Sequence, residues 1–291
     1  MYTLDDLLDL TQTDDNTFVS RHLWASPAAP NVFGGQLVGL GLAAAFRTVD
    51  DGYIARSLHV QFLKQVHASG PQVEIKVVNL SAECKVVTRT VLCFQDDIPV
   101  MQMMCNFMRN RVAGAEEPGY QKSMPDVPIP GTSSDCQFIL DPQGYPDGFP
   151  VKIWAREVES DFETPAPPHQ QIWLENPEPR QRTVETEQCI LAMYTDVHFT
   201  RVIVRPYGIR IAPKPASECL RGIVSIDHHI WFHRPGDSGC VLVDTRCSQF
   251  HGGRGIVSSE VYGTEGTLVA TAMQEGRVVL DKRHRLPEPK L

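Results

Sequence analysis

One order of elements occurs twice along this chain, and that repetition limits its fold more than any single motif does. In the first copy a strand over 18–24 leads to a helix over 34–47, where Val38, Gly41, Leu42 and Ala45 share one face at the helical period. The second copy has a strand over 170–174 and a helix over 183–195, with Val184, Gln188, Leu191 and Ala192 on one face. Each helix precedes a series of strand-forming runs: 57–63, 73–80, 84–94 and 98–108, then 224–233, 240–250, 255–262 and 267–280. Short turns join successive runs, which an antiparallel sheet permits and a parallel one does not. The turn from Phe94 to Val100 lies over the turn from Tyr262 to Val269, 168 to 169 positions on, with one more residue in the second.

A helix laid across a long antiparallel sheet, present twice, predicts an α+β double hotdog fold: two repeats, each with a long helix wrapped by an antiparallel sheet. The first helix is crowded with Gly34, Gly35, Gly39, Gly41, Ala43, Ala44 and Ala45, which lets a sheet come close. Twelve of the 22 prolines fall between Pro118 and Pro179, so a linker separates the copies. Alternation of apolar and polar residues returns at 151–156 and 170–174. The linker is therefore confined to 110–145, between an N-terminal repeat at 1–109 and a C-terminal repeat at 146–291. A chain of 291 residues buries roughly three quarters of its unfolded surface and needs no metal or disulfide to be stable.

Charge and composition exclude several classes of function. A net charge of −8 argues against a nucleic-acid partner, whose footprint is a basic excess. The longest weakly polar run, 34–46, is too short to span a bilayer. Acids among the leucines of residues 1–10 do not make a secretion signal, so the chain is expected inside the cell. The eight cysteines form no Cys-x-x-Cys pair and sit mostly in apolar runs, as small buried hydrophobes do. His228, His229 and His233 lie on one strand, where neighbours point to opposite faces, and His59 reads as a hydrogen-bonded core residue; no metal and no cofactor are expected. Gly236-Asp-Ser-Gly239 has the core of a serine-protease signature, but it follows Arg234-Pro235 between two strands and reads as a turn.

Three polar residues of the second copy stand where packing does not explain them. Asp196 lies just past the carboxyl end of the second helix, where the helix dipole opposes its charge and should raise its pKa. Ser225 opens the run 225–235, which is dense in aromatic and titratable side chains. Gln274 interrupts an apolar strand, where a long amide needs partners. Together they make a water-activating set: a carboxylate to take a proton, with a hydroxyl and an amide to orient the water.

The chain resembles the acyl-coenzyme A thioesterase II family, which includes bacterial thioesterase II enzymes and peroxisomal acyl-coenzyme A thioesterases. The matching stretches are Asn31-Val-Phe-Gly-Gly-Gln-Leu-Val-Gly39, Gln121-Lys-Ser-Met-Pro125, Tyr194-Thr-Asp196, Val224-Ser-Ile-Asp-His228, Trp231-Phe-His-Arg-Pro235, Gly253-Arg-Gly255 and Gln274-Glu-Gly276. The resemblance implies a double hotdog that hydrolyses acyl thioesters with a water held by an Asp, a Ser or Thr, and a Gln. Those positions here are Asp196, Ser225 and Gln274. It also implies an acyl-CoA substrate and a homodimer or homotetramer. The first copy departs from the family pattern at Phe62-Leu-Lys-Gln-Val66 and at Ser81-Ala-Glu-Cys-Lys85, which leaves the acyl group open. It also leaves open an alternative, a pathway enzyme (hydrolase, dehydratase or cyclase) acting on a carrier-bound or unusual acyl intermediate in the same cleft. A non-catalytic acyl-binding protein is a third reading, disfavoured by the complete triad. The terminal Pro289-Lys-Leu291 is a variant of a peroxisomal import signal, so the address is peroxisomal or cytoplasmic.

Overall fold

A computed structural model describes residues 2–25, 31–81, 85–110, 119–130, 136–139, 152–156, 164–176, 180–209, 211, 219–235, 238–281, 283, 286 and 288–290. A one-turn helix α1 (Leu4–Leu7) and the strands β1 (Leu10–Asp14) and β2 (Thr17–Ser20) precede the long helix α2 (Gly34–Phe46). Strands β3 (Tyr53–Phe62), β4 (Glu74–Ser81), β5 (Val86–Gln95) and β6 (Ile98–Arg109) complete the first copy. The proline-rich stretch contains β7 (Cys136–Ile139), followed by β8 (Lys152–Arg156) and β9 (His169–Glu175). Helix α3 (Val184–Tyr194) leads through two 3-10 turns, Phe199–Ile203 and Arg205–Tyr207, to β10 (Leu220–Ser225) and β11 (Asp227–Phe232). The chain continues into β12 (Cys240–His251), β13 (Arg254–Gly263) and β14 (Leu268–Leu280).

All these strands join one antiparallel sheet in the order β1-β2-β4-β5-β6-β3-β11-β14-β13-β12-β9-β8-β7, with β10 added along β14. The order runs outward in the same sense from a central seam between β3 and β11, which is the double hotdog that the repeated pattern predicts. At the seam His59 stands opposite His229, and their rings lie 4.5 Å apart. The inner faces of both halves enclose α2 and α3, which run antiparallel and pack on each other. Gly35 makes that approach feasible: a Cβ there would come within 2.6 Å of the Met193 carbonyl oxygen. In the second half the curl of the sheet is filled partly by the turn Phe199–Ile203, which packs against β12, β13 and β14.

The predicted strand over 224–233 is two strands, β10 and β11, broken at Ile226. The Ile226 N–H donates to the Glu275 carbonyl at 2.8 Å, and the Glu275 N–H donates to Asp227 Oδ1 at 2.7 Å. The first copy has its irregularity at the equivalent place, a register shift between Ala55 and Ser57 of β3. There the side chain of Gln188, on α3, accepts from the Ala55 N–H and donates to the Ala55 carbonyl, both at 2.9 Å. The predicted strand over 18–24 stops at Ser20, and Cys84 of the predicted strand 84–94 lies outside the described residues.

Part of the inter-repeat stretch acts as a strap over the second half. Met124, Val127 and Ile129 cover Trp173, Leu242 and Tyr262 on the outer face of the sheet. The Trp173 Nε1–H donates to the Pro128 carbonyl at 2.9 Å, and Gln121 donates to the Gly266 carbonyl at 2.7 Å while accepting from the Leu268 N–H. These contacts account for the matching stretch at 121–125 by tying the strap to the turn between β13 and β14. Cys93, Cys105 and Cys189 lie inside the core, where burial pushes their thiols up. Among the described residues no helix is long and apolar enough to cross a membrane.

Candidate active site

Helix α3 ends at Tyr194, and Asp196 leaves it with its N–H donating to the Met193 carbonyl at 3.3 Å. Because the two helices are antiparallel, the end of α3 meets the start of α2. The Asp196 carboxylate therefore receives the backbone N–H of Gly35, and a Cβ on Gly34 would stand 2.9 Å from its Oδ2. The positive end of α2 thus faces a charge that sequence alone opposes only to the negative end of α3. Its pKa is nonetheless raised, to about 6. The cause is enclosure by protein, which outweighs the hydrogen bonds from Gln274 and Gly35 that favour the ionised form. The direction agrees with the sequence expectation and the physical cause does not.

Gln274 lies on the inward face of β14 in line with Ala270 and Ala272, and only 2% of it is exposed. Its Nε2 donates to Asp196 Oδ1 at 2.8 Å, while its Oε1 is buried without a hydrogen-bonding partner among the described residues. Ser225 does not open a strand. It ends β10 at the break, opposite Gly276 of β14, and shares with Asp196 the wall of a pocket of about 470 Å³. Trp24, Val32, Phe33 and Leu37 make one apolar side of that pocket, and Ile223 to Ile226 make another. Phe62, Leu63, Lys64, Gln65 and Val66 close it, so the first departure from the family pattern forms part of the wall. In the other departure, residues 82–84 lie outside the described residues. Nearby Arg89 serves the far end of α2, donating to the Thr48 carbonyl at 2.7 Å.

The segment after Asp196 is held by a close approach that explains two of the matching stretches. Gly255 and Gly276 are direct partners across β13 and β14. Ile203, fully buried in the turn Phe199–Ile203, rests on both of them. A Cβ on Gly255 would meet three side-chain carbons of Ile203 at 2.7 Å, and one on Gly276 would meet Ile203 Cδ1 at 2.5 Å. The strands can therefore receive the turn only where they carry no side chains.

The histidines divide as strand alternation predicts. His228 points inward with its Nε2 2.8 Å from Thr195 Oγ1, while His229 and His59 lie ring to ring on the outer face. His59 is therefore half-buried there and is not the core residue that the sequence suggests, because its neighbours Leu58 and Val60 take the inward positions. His233 pairs with the Thr271 hydroxyl at 2.8 Å. Among the described residues no group of three or more His, Cys, Asp or Glu side chains could hold a metal ion. Of Gly236-Asp-Ser-Gly239, the first two residues lie outside the described residues, and buried Ser238 donates its N–H to Glu187 at 2.7 Å.

The site thus combines a carboxylate whose pKa is raised to about 6, an amide bonded to it, and a hydroxyl and apolar side chains lining the same pocket. Sequence reasoning, which ties the departure at 62–66 to the choice of acyl group, does not find the contact of the start of α2 with Asp196. Gly34 and Gly35 read there as packing residues, and nothing local shows that the second helix would end against them.

Residues 121–278 match the family model for the acyl-CoA thioesterase C-terminal domain, and residues 21–108 match that for the N-terminal domain. Acyl-coenzyme A thioesterase 8 of Homo sapiens is 27% identical, with 98% of this chain and 91% of that protein covered. Acyl-CoA thioesterase 2 of Haemophilus influenzae is 26% identical, with 94% and 95% covered. Among solved structures, an acyl-CoA thioesterase II from Mycobacterium marinum superposes with a TM-score of 0.75 at 24% identity, covering 97% of this chain and 99% of that one. A hot dog protein of unknown function from Alicyclobacillus acidocaldarius gives 0.75 at 20% identity, covering 96% and 98%.

Proposed function

The chain belongs to the acyl-CoA thioesterase II family and hydrolyses acyl-CoA thioesters, and from that premise we propose that Asp196, Ser225 and Gln274 carry the reaction. Asp196 takes a proton from water as the water oxygen attacks the thioester carbon. Ser225 and Gln274 orient that water and stabilise the oxyanion as it forms. The tetrahedral intermediate collapses by breaking the carbon–sulfur bond, and the proton on Asp196 passes to the departing coenzyme A thiolate. Free acid and thiol leave, and the carboxylate is restored without a cofactor. The observation that supports this reading above others is the 2.8 Å contact of Gln274 with a carboxylate whose pKa is raised to about 6 on the wall of an apolar pocket.

A panel of acyl-CoA esters of increasing chain length, with thiol release followed in time, tests the activity and finds the acyl group. Rapid release from part of the series is expected. Release from an unusual or carrier-bound acyl group and from no member of the series would favour the specialised pathway enzyme, and binding without release would favour an acyl-binding protein. The turn Phe62–Val66 makes selection among acyl groups expected, because it supplies part of the pocket wall.

The same reading assigns 1–109 and 146–291 to the two repeats with 110–145 between them, and pairs whole chains as a homodimer or homotetramer. It gives Pro289-Lys-Leu291 a peroxisomal address, with the cytoplasm as the alternative. Residues 281–291 moved onto a fluorescent reporter should give a punctate signal, and a diffuse one would remove the peroxisome.

A further inference from the structure

His228 is fully buried on the inward face of β11, and its Nε2 meets Thr195 Oγ1 at 2.8 Å. Thr195 is the cap residue of α3, immediately before Asp196, and its hydroxyl already donates to the Ala192 carbonyl at 2.8 Å. A hydroxyl has one proton to give, so the bond between the two side chains must be donated by the imidazole Nε2–H. The ring is then the neutral tautomer with a bare Nδ1. That nitrogen is buried with no hydrogen-bonding partner among the described residues, and the Phe199 ring stands edge-on to the imidazole at 5.4 Å. Burial keeps the ring neutral by pushing its pKa down to about 3.

We infer that His228 is a positioning residue for thioester hydrolysis: through Thr195 it pins the end of α3 to β11 and so aims the Asp196 carboxylate at Gln274 and the pocket. The inference rests on the reading of Asp196 as the base. The last carbonyls of a helix lack intrahelical partners, and its final turn frays unless something holds it. Here the residue that follows is a carboxylate whose ionised form is disfavoured by its enclosure, so a loose helix end would let it swing towards water. The Thr195 hydroxyl closes the turn on Ala192, and the His228 N–H fixes that hydroxyl to the sheet. A neutral donor suits the task, because a cation beside Asp196 would stabilise the carboxylate and weaken the base. An apolar side chain would fill the same space without leaving a nitrogen buried and bare, so packing does not account for the imidazole.

The experiment measures kcat and KM of purified full-length variants on an acyl-CoA that the parent cleaves, with Asp196→Asn in the same series. His228→Leu removes the donor, and Thr195→Val removes the acceptor while keeping the shape. Each should lower kcat about 100-fold, the cost of a small misplacement of a reacting group, with KM within about threefold of the parent. The double variant should be no worse than either single one, because both break the same link. His228→Gln, whose amide N–H can replace the imidazole donor, should return kcat to within about tenfold of the parent. Parent-like turnover in folded Thr195→Val would overturn the inference, as would losses that multiply in the double variant, or a Gln variant no better than Leu. If instead Asp196→Asn itself turns over normally, the assignment of the base fails and this inference fails with it.

Discussion

Asp196→Asn should abolish thioester cleavage, lowering kcat about 1,000-fold or more, in a chain that still folds. Asparagine has the shape of aspartate but cannot take a proton from water. Its carbonyl still accepts the Gln274 N–H, now found at 2.8 Å from Oδ1. The cost of enclosing a charge disappears, while its NH2 must now face a donor, such as the Gly35 N–H, that the carboxylate accepted. These terms oppose each other, so the melting temperature should stay within a few degrees of the parent. On the proposed mechanism only ionised Asp196 acts as base, so kcat/KM of the parent should rise with pH through about 6 and level off above it. The stability contribution runs the other way: an acid whose folded pKa is raised favours the fold while protonated, and that contribution is lost as pH rises from the ordinary carboxylate range through about 6. Gln274→Leu and Ser225→Ala should cost less, because each removes one orienting group and leaves the base. Normal turnover in Asp196→Asn would remove the carboxylate from the mechanism.

Gly255→Val should be strongly damaging although it lies outside the proposed catalytic set. Its side chain would enter space held by Cδ1, Cγ1 and Cγ2 of Ile203, all 2.7 Å from the new Cβ. Ile203 is fully buried, with no free direction to turn. Overpacking of this kind costs about 1–3 kcal/mol, and the strain falls on the turn that follows Asp196. The expected result is a lower melting temperature together with a lower kcat, since the displaced turn pulls on the base. Ile203→Ala in the same chain should restore part of both by returning the space. If Gly255→Val keeps the stability and turnover of the parent, the close approach does not hold the catalytic segment.

Helix periodicity and strand alternation place α2 and α3 to within a residue or two and give most strand positions, because each pattern reports a face turned to one core. The repeated element order carries the fold further, to two similar halves. The break at Ile226 is not visible in this way: apolar and polar residues alternate straight through it. It arises where the Glu275 carbonyl captures one N–H and Asp227 captures another, and both partners lie on different strands. Gln188 shows the same limit. It sits among apolar residues on the face of a helix, yet its side chain clasps a strand of the other copy at Ala55. For the site, residue type and resemblance singled out three residues of the second copy, two of which are in direct contact. What they left out is the contact of Gly34 and Gly35 with Asp196, which belongs to the site through the antiparallel packing of α2 on α3.

The seam between β3 and β11 also decides how the molecule responds to dilution. Two separate hotdog units meeting along such a seam would form a bimolecular complex, and below its dissociation constant each would lose half of the pocket: Asp196 and Ser225 on one side, Phe33, Gly34 and Phe62 on the other. Tethered in one chain, the halves meet at an effective concentration set by the connection between them, commonly in the millimolar range. Assembly of the cleft therefore does not depend on how many copies of the protein are present. The fusion also frees the halves from having to be identical, so one can carry the Asp196 carboxylate while the other shapes the facing part of the pocket wall.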